Sequence, residues 1–320
     1  MAIRLNIHIT RTGLHLGVLA LILFLKPVVS FSQQDPLYTQ YMFNTLAINP
    51  GYAGTRDMLS LMFSSRNQWV GFDGAPTTQT FTANSPVANK NIGLGISVLY
   101  DRIGPTTQTG TYIDYSFQLK ISEKSKLSFG IKGGGNFYQL DMAQLKKLTP
   151  YNDPAYSEPN ISKFLPNFGV GLYYYSQNFY LGASVPKLLE NTYSADGVET
   201  SVEGKETRHY YLMTGAVVNI NNDIKFKPSV LARLTQAAPF SMDINANFLF
   251  VDRIWVGAMY RISGTFGGVV QFKFTPQFRI GYSYDANTTE LQNYNNGTHE
   301  IMLNYEFNFK KDKIQNPRYF

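Results

Sequence analysis

The chain has 320 residues, a formal net charge of +6, no cysteine, 22 Tyr, 23 Phe and 4 His. Without cysteine, disulfides and thiolate metal sites are excluded. The positive balance is too weak to argue for nucleic acid.

Residues 1–32 read as a secretory signal peptide: Arg4 and Arg11 come first, an apolar run from Leu14 to Leu25 follows, and small residues flank Phe31 before a cleavage point after Ser32. An N-terminal membrane anchor is the competing reading. The apolar run is short for a span, and Lys26 ends it. Loss of Arg4, Arg11 and Lys26, with no acidic residue, leaves 25 of the 28 basic residues against 22 acidic ones, a net +3. His209 and His299 are the histidines that remain.

Residues 33–56 show no strand pattern. Asp35-Pro36 and Asn49-Pro50-Gly51 are turn signals, and Tyr38, Tyr41, Met42, Phe43 and Leu46 are placed to line one side of a short helix. An aromatic segment of this kind is costly to leave in water, so it is expected to pack within or against the rest of the chain at the periplasmic side, as a plug-like element, or to bind a partner.

From residue 57 onward the pattern has period two. Alternating segments lie near 58–66, 77–84, 91–100, 110–121, 125–137, 166–175, 178–186, 208–220, 223–234, 240–250, 253–261, 265–274, 277–285 and 299–309. In the fourth, Ile113, Tyr115, Phe117, Leu119 and Ile121 oppose Asp114, Ser116, Gln118 and Lys120. In the last, Ile301, Leu303, Tyr305, Phe307 and Phe309 oppose Glu300, Met302, Asn304, Glu306 and Asn308. Side chains in a strand alternate between faces, so each segment has an apolar wall and a mostly polar one. A soluble β-sandwich gives the same local pattern. The connections separate the two readings. Links such as Ser122-Glu123-Lys124, Ser176-Gln177 and Asn221-Asn222 are tight and recur at every second junction, whereas the long links, about 67–76, 138–165, 187–207 and 286–298, fall at the alternate junctions. Short turns at one rim and long loops at the other are the outer-membrane barrel pattern. The expected fold is all-β: a transmembrane antiparallel β-barrel of about 14 strands over residues 57–309, with both of its ends at the short-turn, periplasmic rim, 138–165 and 187–207 outside the cell, and a periplasmic tail at 310–320. The polar wall then faces the lumen, with Asp114, Lys120, Lys132, Lys225, Lys227, Arg233, Asp243, Arg261, Arg279, Glu300 and Glu306 among its charges. Glycines on that wall, including Gly130 and Gly171, leave room for something inside or ease curvature.

Catalytic signals are poor. A serine hydrolase needs a base beside its nucleophile, and His209 and His299 each sit at an expected strand end. Lys132-Gly133-Gly134-Gly135 lacks the Lys-Ser/Thr of a phosphate loop, and the stretch from Asp285 to Glu290 lacks calcium-loop spacing. No enzyme activity, cofactor or metal is expected.

Two motifs and an ending carry a resemblance. Asp35-Pro36, Tyr38-Thr39-Gln40-Tyr41-Met42-Phe43-Asn44 and Ile48-Asn49-Pro50-Gly51-Tyr52-Ala53-Gly54 come first; Arg66-Asn67-Gln68-Trp69 with Gly71 and Ala75-Pro76 follows; Asn316-Pro317-Arg318-Tyr319-Phe320 closes the chain. In this order they resemble the PorP/SprF family, whose members often have Ala where Gly51 stands. The resemblance implies an outer-membrane protein of the type IX secretion system of Bacteroidota that supports secretion or surface anchoring of large cargo with a C-terminal sorting domain, gliding adhesins included. It also implies a periplasmic, peptidoglycan-binding partner for some members. The candidate partner-binding or plug residues are therefore Asp35, Pro36, Tyr38, Gln40, Tyr41, Phe43, Asn44, Asn49, Pro50, Tyr52, Gly54, Arg66, Gln68, Trp69, Pro317, Arg318, Tyr319 and Phe320. An uptake channel for small or apolar solutes is the alternative: its loss would reduce solute entry, whereas loss of a secretion component would strand a surface protein.

Overall fold

A computed structural model describes residues 35–87, 91–148, 160–192, 205–236 and 238–307. The signal-peptide and tail expectations, with Pro317, Arg318, Tyr319 and Phe320, lie outside these residues. Fifteen strand segments run in chain order: β1 Leu59–Asn67, β2 Thr77–Pro86, β3 Ile92–Ile103, β4 Thr106–Ser122, β5 Ser125–Leu140, β6 Ile161–Ser176, β7 Phe179–Val185, β8 His209–Ala216, β9 Val218–Asn219, β10 Ile224–Thr235, β11 Ala238–Phe250, β12 Ile254–Arg261, β13 Thr265–Lys273, β14 Phe278–Asn287 and β15 Thr298–Phe307. A helix, α1, occupies Met142–Leu148. β8 and β9 both pair with β10 in one continuous register, Ser229 opposite Gly215 and Phe226 opposite Val218, so they form a single stave interrupted at Val217. The wall thus has fourteen staves, all antiparallel.

The sheet closes on itself. β1 pairs with β15 from Leu59 opposite Phe307 to Asn67 opposite His299, and β10 pairs with β11. Closure leaves no open edge, which a wall in hydrocarbon requires. The faces are inverted relative to a soluble barrel. Ile113 is 63% exposed and Ile131 59%, while their neighbours Asp114 and Lys132 are 0% and 5% exposed. An apolar outer face with a polar inner one is stable only with lipid outside.

The core lies inside the lumen. Tyr41, Met42, Phe43, Leu46, Ile48, Tyr52 and Ala53 of the segment before β1 cluster there with inward-facing wall residues such as Met62, Tyr173, Tyr180, Trp255 and Met302. The expected short helix is replaced by turns over residues 39–43 and two 3₁₀ turns, Thr45–Ala47 and Pro50–Tyr52. Asn49 caps the second, its Oδ1 accepting from the Gly51 N–H at 2.8 Å, with Pro50 at the position where a missing N–H costs nothing. The wall makes room at Gly130 and Gly171, which face each other across β5 and β6. A Cβ on Gly130 would lie 2.1 Å from the Gly51 nitrogen, and one on Gly171 would lie 2.1 Å from Asn49 Oδ1.

Three expectations need correcting. β3 and β4 run on to Ile103 and back from Thr106, joined by Gly104-Pro105 with Gly104 at φ +54°, so the alternation near 91–100 and 110–121 marks only part of that hairpin. β5 and β6 likewise extend to Leu140 and from Ile161. Lys120 does not line the lumen: it is exposed at the short-turn rim, paired with Glu123 at 2.6 Å. The strand end and the solvent outside it win over strict alternation there.

Candidate functional site

The segment from Asp35 to Arg56 runs the length of the lumen rather than resting at the periplasmic side alone. At its first residue, Asp35 meets Lys187 at 2.6 Å and His209 Nδ1 at 3.6 Å, both beside the long 186–208 link. At its last, Arg56 meets Glu306 at 2.8 Å, one residue from the end of β15 at the short-turn rim. Burial raises the Asp35 carboxyl, but Lys187 and then His209 outweigh it and hold the group below its ordinary range. Burial lowers the Lys187 ammonium, yet Asp35 above all keeps it well above the ordinary lysine range.

Between these ends the segment's polar groups are taken up by the wall. The Tyr38 hydroxyl bonds Thr80 Oγ1 at 2.9 Å. The backbone N–H groups of Thr39 and Gln40 donate to Glu300 at 2.9 and 3.3 Å. Thr39 Oγ1 donates to Asp285 at 2.5 Å. Arg66 binds the set together, donating to Thr39 Oγ1 at 2.8 Å, to Glu300 at 2.9 Å and to Asp285 at 2.8 Å. Arg66, Asp285 and Glu300 are each 3% exposed or less. One guanidinium against two carboxylates, with two backbone N–H groups donating to Glu300, is how buried charge of this density is tolerated; Asp285 Oδ1 and Arg66 Nε are left without a hydrogen-bond partner among the described residues. Gln40 continues the seam, its Oε1 accepting from Gln271 at 3.0 Å.

Deeper in, Asn245 donates to the Tyr41 hydroxyl at 3.2 Å. Beside it Asp243 accepts from both Arg233 at 2.9 Å and Arg261 at 2.8 Å. Phe43 packs edge-on against Trp255, ring centres 5.5 Å apart, with Lys227 Nζ 4.6 Å and the Arg279 guanidinium 5.2 Å from its own centre. These are cation–π distances. Thr82 donates to Asn44 Oδ1 at 2.9 Å, Asn49 Nδ2 donates to the Leu172 carbonyl at 3.0 Å, and Tyr52 stacks edge-on against Tyr173 at 5.4 Å. The Gly54 N–H donates to Asn84 at 3.3 Å, with Gly54 at φ +63°. A cavity of about 60 Å³, lined among others by Asp35, Pro36, Tyr38, Tyr112, Lys132 and Lys187, lies beside the segment's first residues; that is room for a few waters.

The second motif divides. Arg66 enters the lumen; Gln68 and Trp69 stay in the β1–β2 loop at the long-loop rim. There the Gln68 N–H donates to the Pro76 carbonyl at 2.9 Å, and the Trp69 N–H donates to Thr298 Oγ1 at 3.3 Å. Trp69 has φ +47°, an uncommon conformation for a bulky residue. Sequence reasoning named Glu300 only as a wall residue and Asp285 only in setting aside a calcium loop, and it did not pick out Lys187, Gln271 or Asn245. The alternation placed several of these on the inner wall, but only the three-dimensional path of the segment pairs them with it.

A closed wall with lipid-suited residues outside and a polar, occupied interior defines the class: this is an integral outer-membrane β-barrel. The family described as type IX secretion system membrane protein PorP/SprF matches residues 30–305, and the chain belongs to it. No match is found among curated proteins. Solved structures similar in outline include the CymD monoaromatic hydrocarbon channel (11% identity, TM-score 0.48, covering 85% of this chain and 93% of that one). Others are a Pseudomonas aeruginosa FadL homologue (11%, 0.45, 88% and 96%) and Acinetobacter baumannii Omp33 (15%, 0.41, 80% and 100%).

Proposed function

We propose that this barrel is a non-enzymatic, non-conducting component of type IX secretion that supports secretion or surface anchoring of large cargo, adhesins among them, and that residues 35–56 are its plug. The observation that carries this reading is the occupied lumen. A channel for solutes needs a continuous path, whereas here Thr39, Gln40, Tyr41, Met42, Leu46, Asn49 and Ala53 are each at most 3% exposed. Family membership supports the secretion role; the plug supports a barrel that works as a docking body and not as a pore. The partners on this reading are cargo with a C-terminal sorting domain and a periplasmic peptidoglycan-binding protein. Deleting the gene in its native host and following surface proteins tests it. The expected result is loss of one or a few large proteins from the surface, with their accumulation inside the envelope and unchanged solute uptake. Normal surface display with reduced uptake of a small solute favours the channel.

A further inference from the structure

Among the described residues, cations outnumber carboxylates at the short-turn mouth of the lumen. Lys273, in the last position of β13, stands directly opposite Arg279, near the start of β14. Like charges directly opposite in a ladder destabilise it. Lys273 is half-buried and, among the described residues, has neither a hydrogen bond nor an ion pair from its ammonium group. Arg279 donates to Asn304 Oδ1 at 3.1 Å and leans on the Phe43 ring, and its buried Nε has no hydrogen-bond partner. Arg56 lies within electrostatic reach of Arg279. Its own Nε is also without a partner, and Glu306 at 2.8 Å is its counter-ion. Lys227 sits behind, against Phe43 and Trp255. Among the described residues, Lys273, Arg279, Arg56 and Lys227 therefore gather at this mouth, where the carboxylates in reach are Glu306, engaged with Arg56, and Asp252, engaged with Lys225. On the long-loop side the buried arginines instead meet carboxylates: Arg66 has two, and Arg233 and Arg261 share Asp243.

We propose that Lys273 and Arg279 form a binding site for a carboxylate-bearing peptide segment that approaches the barrel from its short-turn side. The inner wall faces away from lipid, which excludes lipid headgroups as the anion. The planar guanidinium suits a carboxylate held side-on, and the adjacent ammonium adds a second donor to the same group. The Phe43 ring beneath Arg279 fixes the guanidinium plane, so the site is formed before the ligand arrives. The inference stands on the barrel's own geometry and holds whichever cargo the protein serves.

The test uses the full barrel purified in detergent, its folded state checked by heat-modifiable gel migration, and a fluorescently labelled hexaglutamate peptide followed by anisotropy at low salt. Binding that weakens as salt rises is expected. Lys273→Gln and Arg279→Gln should each weaken it about tenfold, the scale of one charge-assisted hydrogen bond, while Lys147→Gln in α1, at the opposite end, leaves it unchanged. Should Arg279→Gln not fold, Lys273→Gln alone decides, since its side chain is half-exposed. Absence of hexaglutamate binding, or binding that survives Lys273→Gln, overturns the proposal. Displacement of the peptide by equal concentrations of inorganic phosphate overturns the assignment to a peptide carboxylate.

Discussion

Arg66 shows what a single side chain does in this lumen. It is the guanidinium that two buried carboxylates, Asp285 and Glu300, share with Thr39. Taking one member from a buried, paired set leaves the others desolvated and uncompensated, a loss of ~3–5 kcal/mol. Arg66→Met should therefore destabilise the folded barrel by about that amount in urea unfolding from detergent micelles. A change within ~0.5 kcal/mol, the range of ordinary surface substitutions, would show that the set is not closed as described. Glycine makes a second residue-scale test. Gly130 touches the Gly51 nitrogen, so Gly130→Ala places a methyl where the segment runs, whereas a Cβ on Gly133 meets nothing nearer than 3.8 Å. Gly130→Ala should lower stability or displace residues 49–52, seen as new protease sensitivity near Tyr52, and Gly133→Ala should do neither. Equal behaviour of the two variants would contradict the placement of the segment against β5.

Among the elements, the strands were legible because hydrocarbon outside and a polar interior impose period two on every residue between them. β15 shows it: Ile301 is 50% exposed, and Glu300 and Met302 are each 1% exposed. The pattern failed where that constraint ends. Thr106, Thr107, Gln108 and Thr109 in β4 are polar on both faces, so no alternation marks them as strand. Farther up the same wall, Tyr138, Leu140, Ile161 and Leu165 are apolar and inward, packed with Met142 of α1, an inversion of the lipid-zone rule. The segment before β1 was legible as something that must be buried. Its path was not, because Thr39 finds its partners some 246 and 261 residues along the chain. Orientation is an element-scale claim with a clean test, since the chain has no cysteine. In intact cells a membrane-impermeant maleimide should label Lys147→Cys in α1 and spare Lys124→Cys in the β4–β5 turn. The reverse labelling would invert the barrel.

Over the whole molecule, the wall and its contents act as one structure. The interior core is shared between residues 41–53 and inward side chains from around the ring, so the segment before β1 supplies the packing that an empty barrel of this width would lack. Its two ends are fixed by ion pairs at opposite rims, Asp35 with Lys187 and Arg56 with Glu306. On the proposed reading, that arrangement is what makes the barrel a docking body and not a pore. Conductance of the purified protein in a planar lipid bilayer measures the difference directly. The account predicts that the full chain gives no sustained open level, and that the chain lacking residues 35–48, verified as folded by heat-modifiable migration, gives stable ohmic steps. A steady open conductance from the full chain, or a shortened barrel that folds yet stays closed, would contradict it.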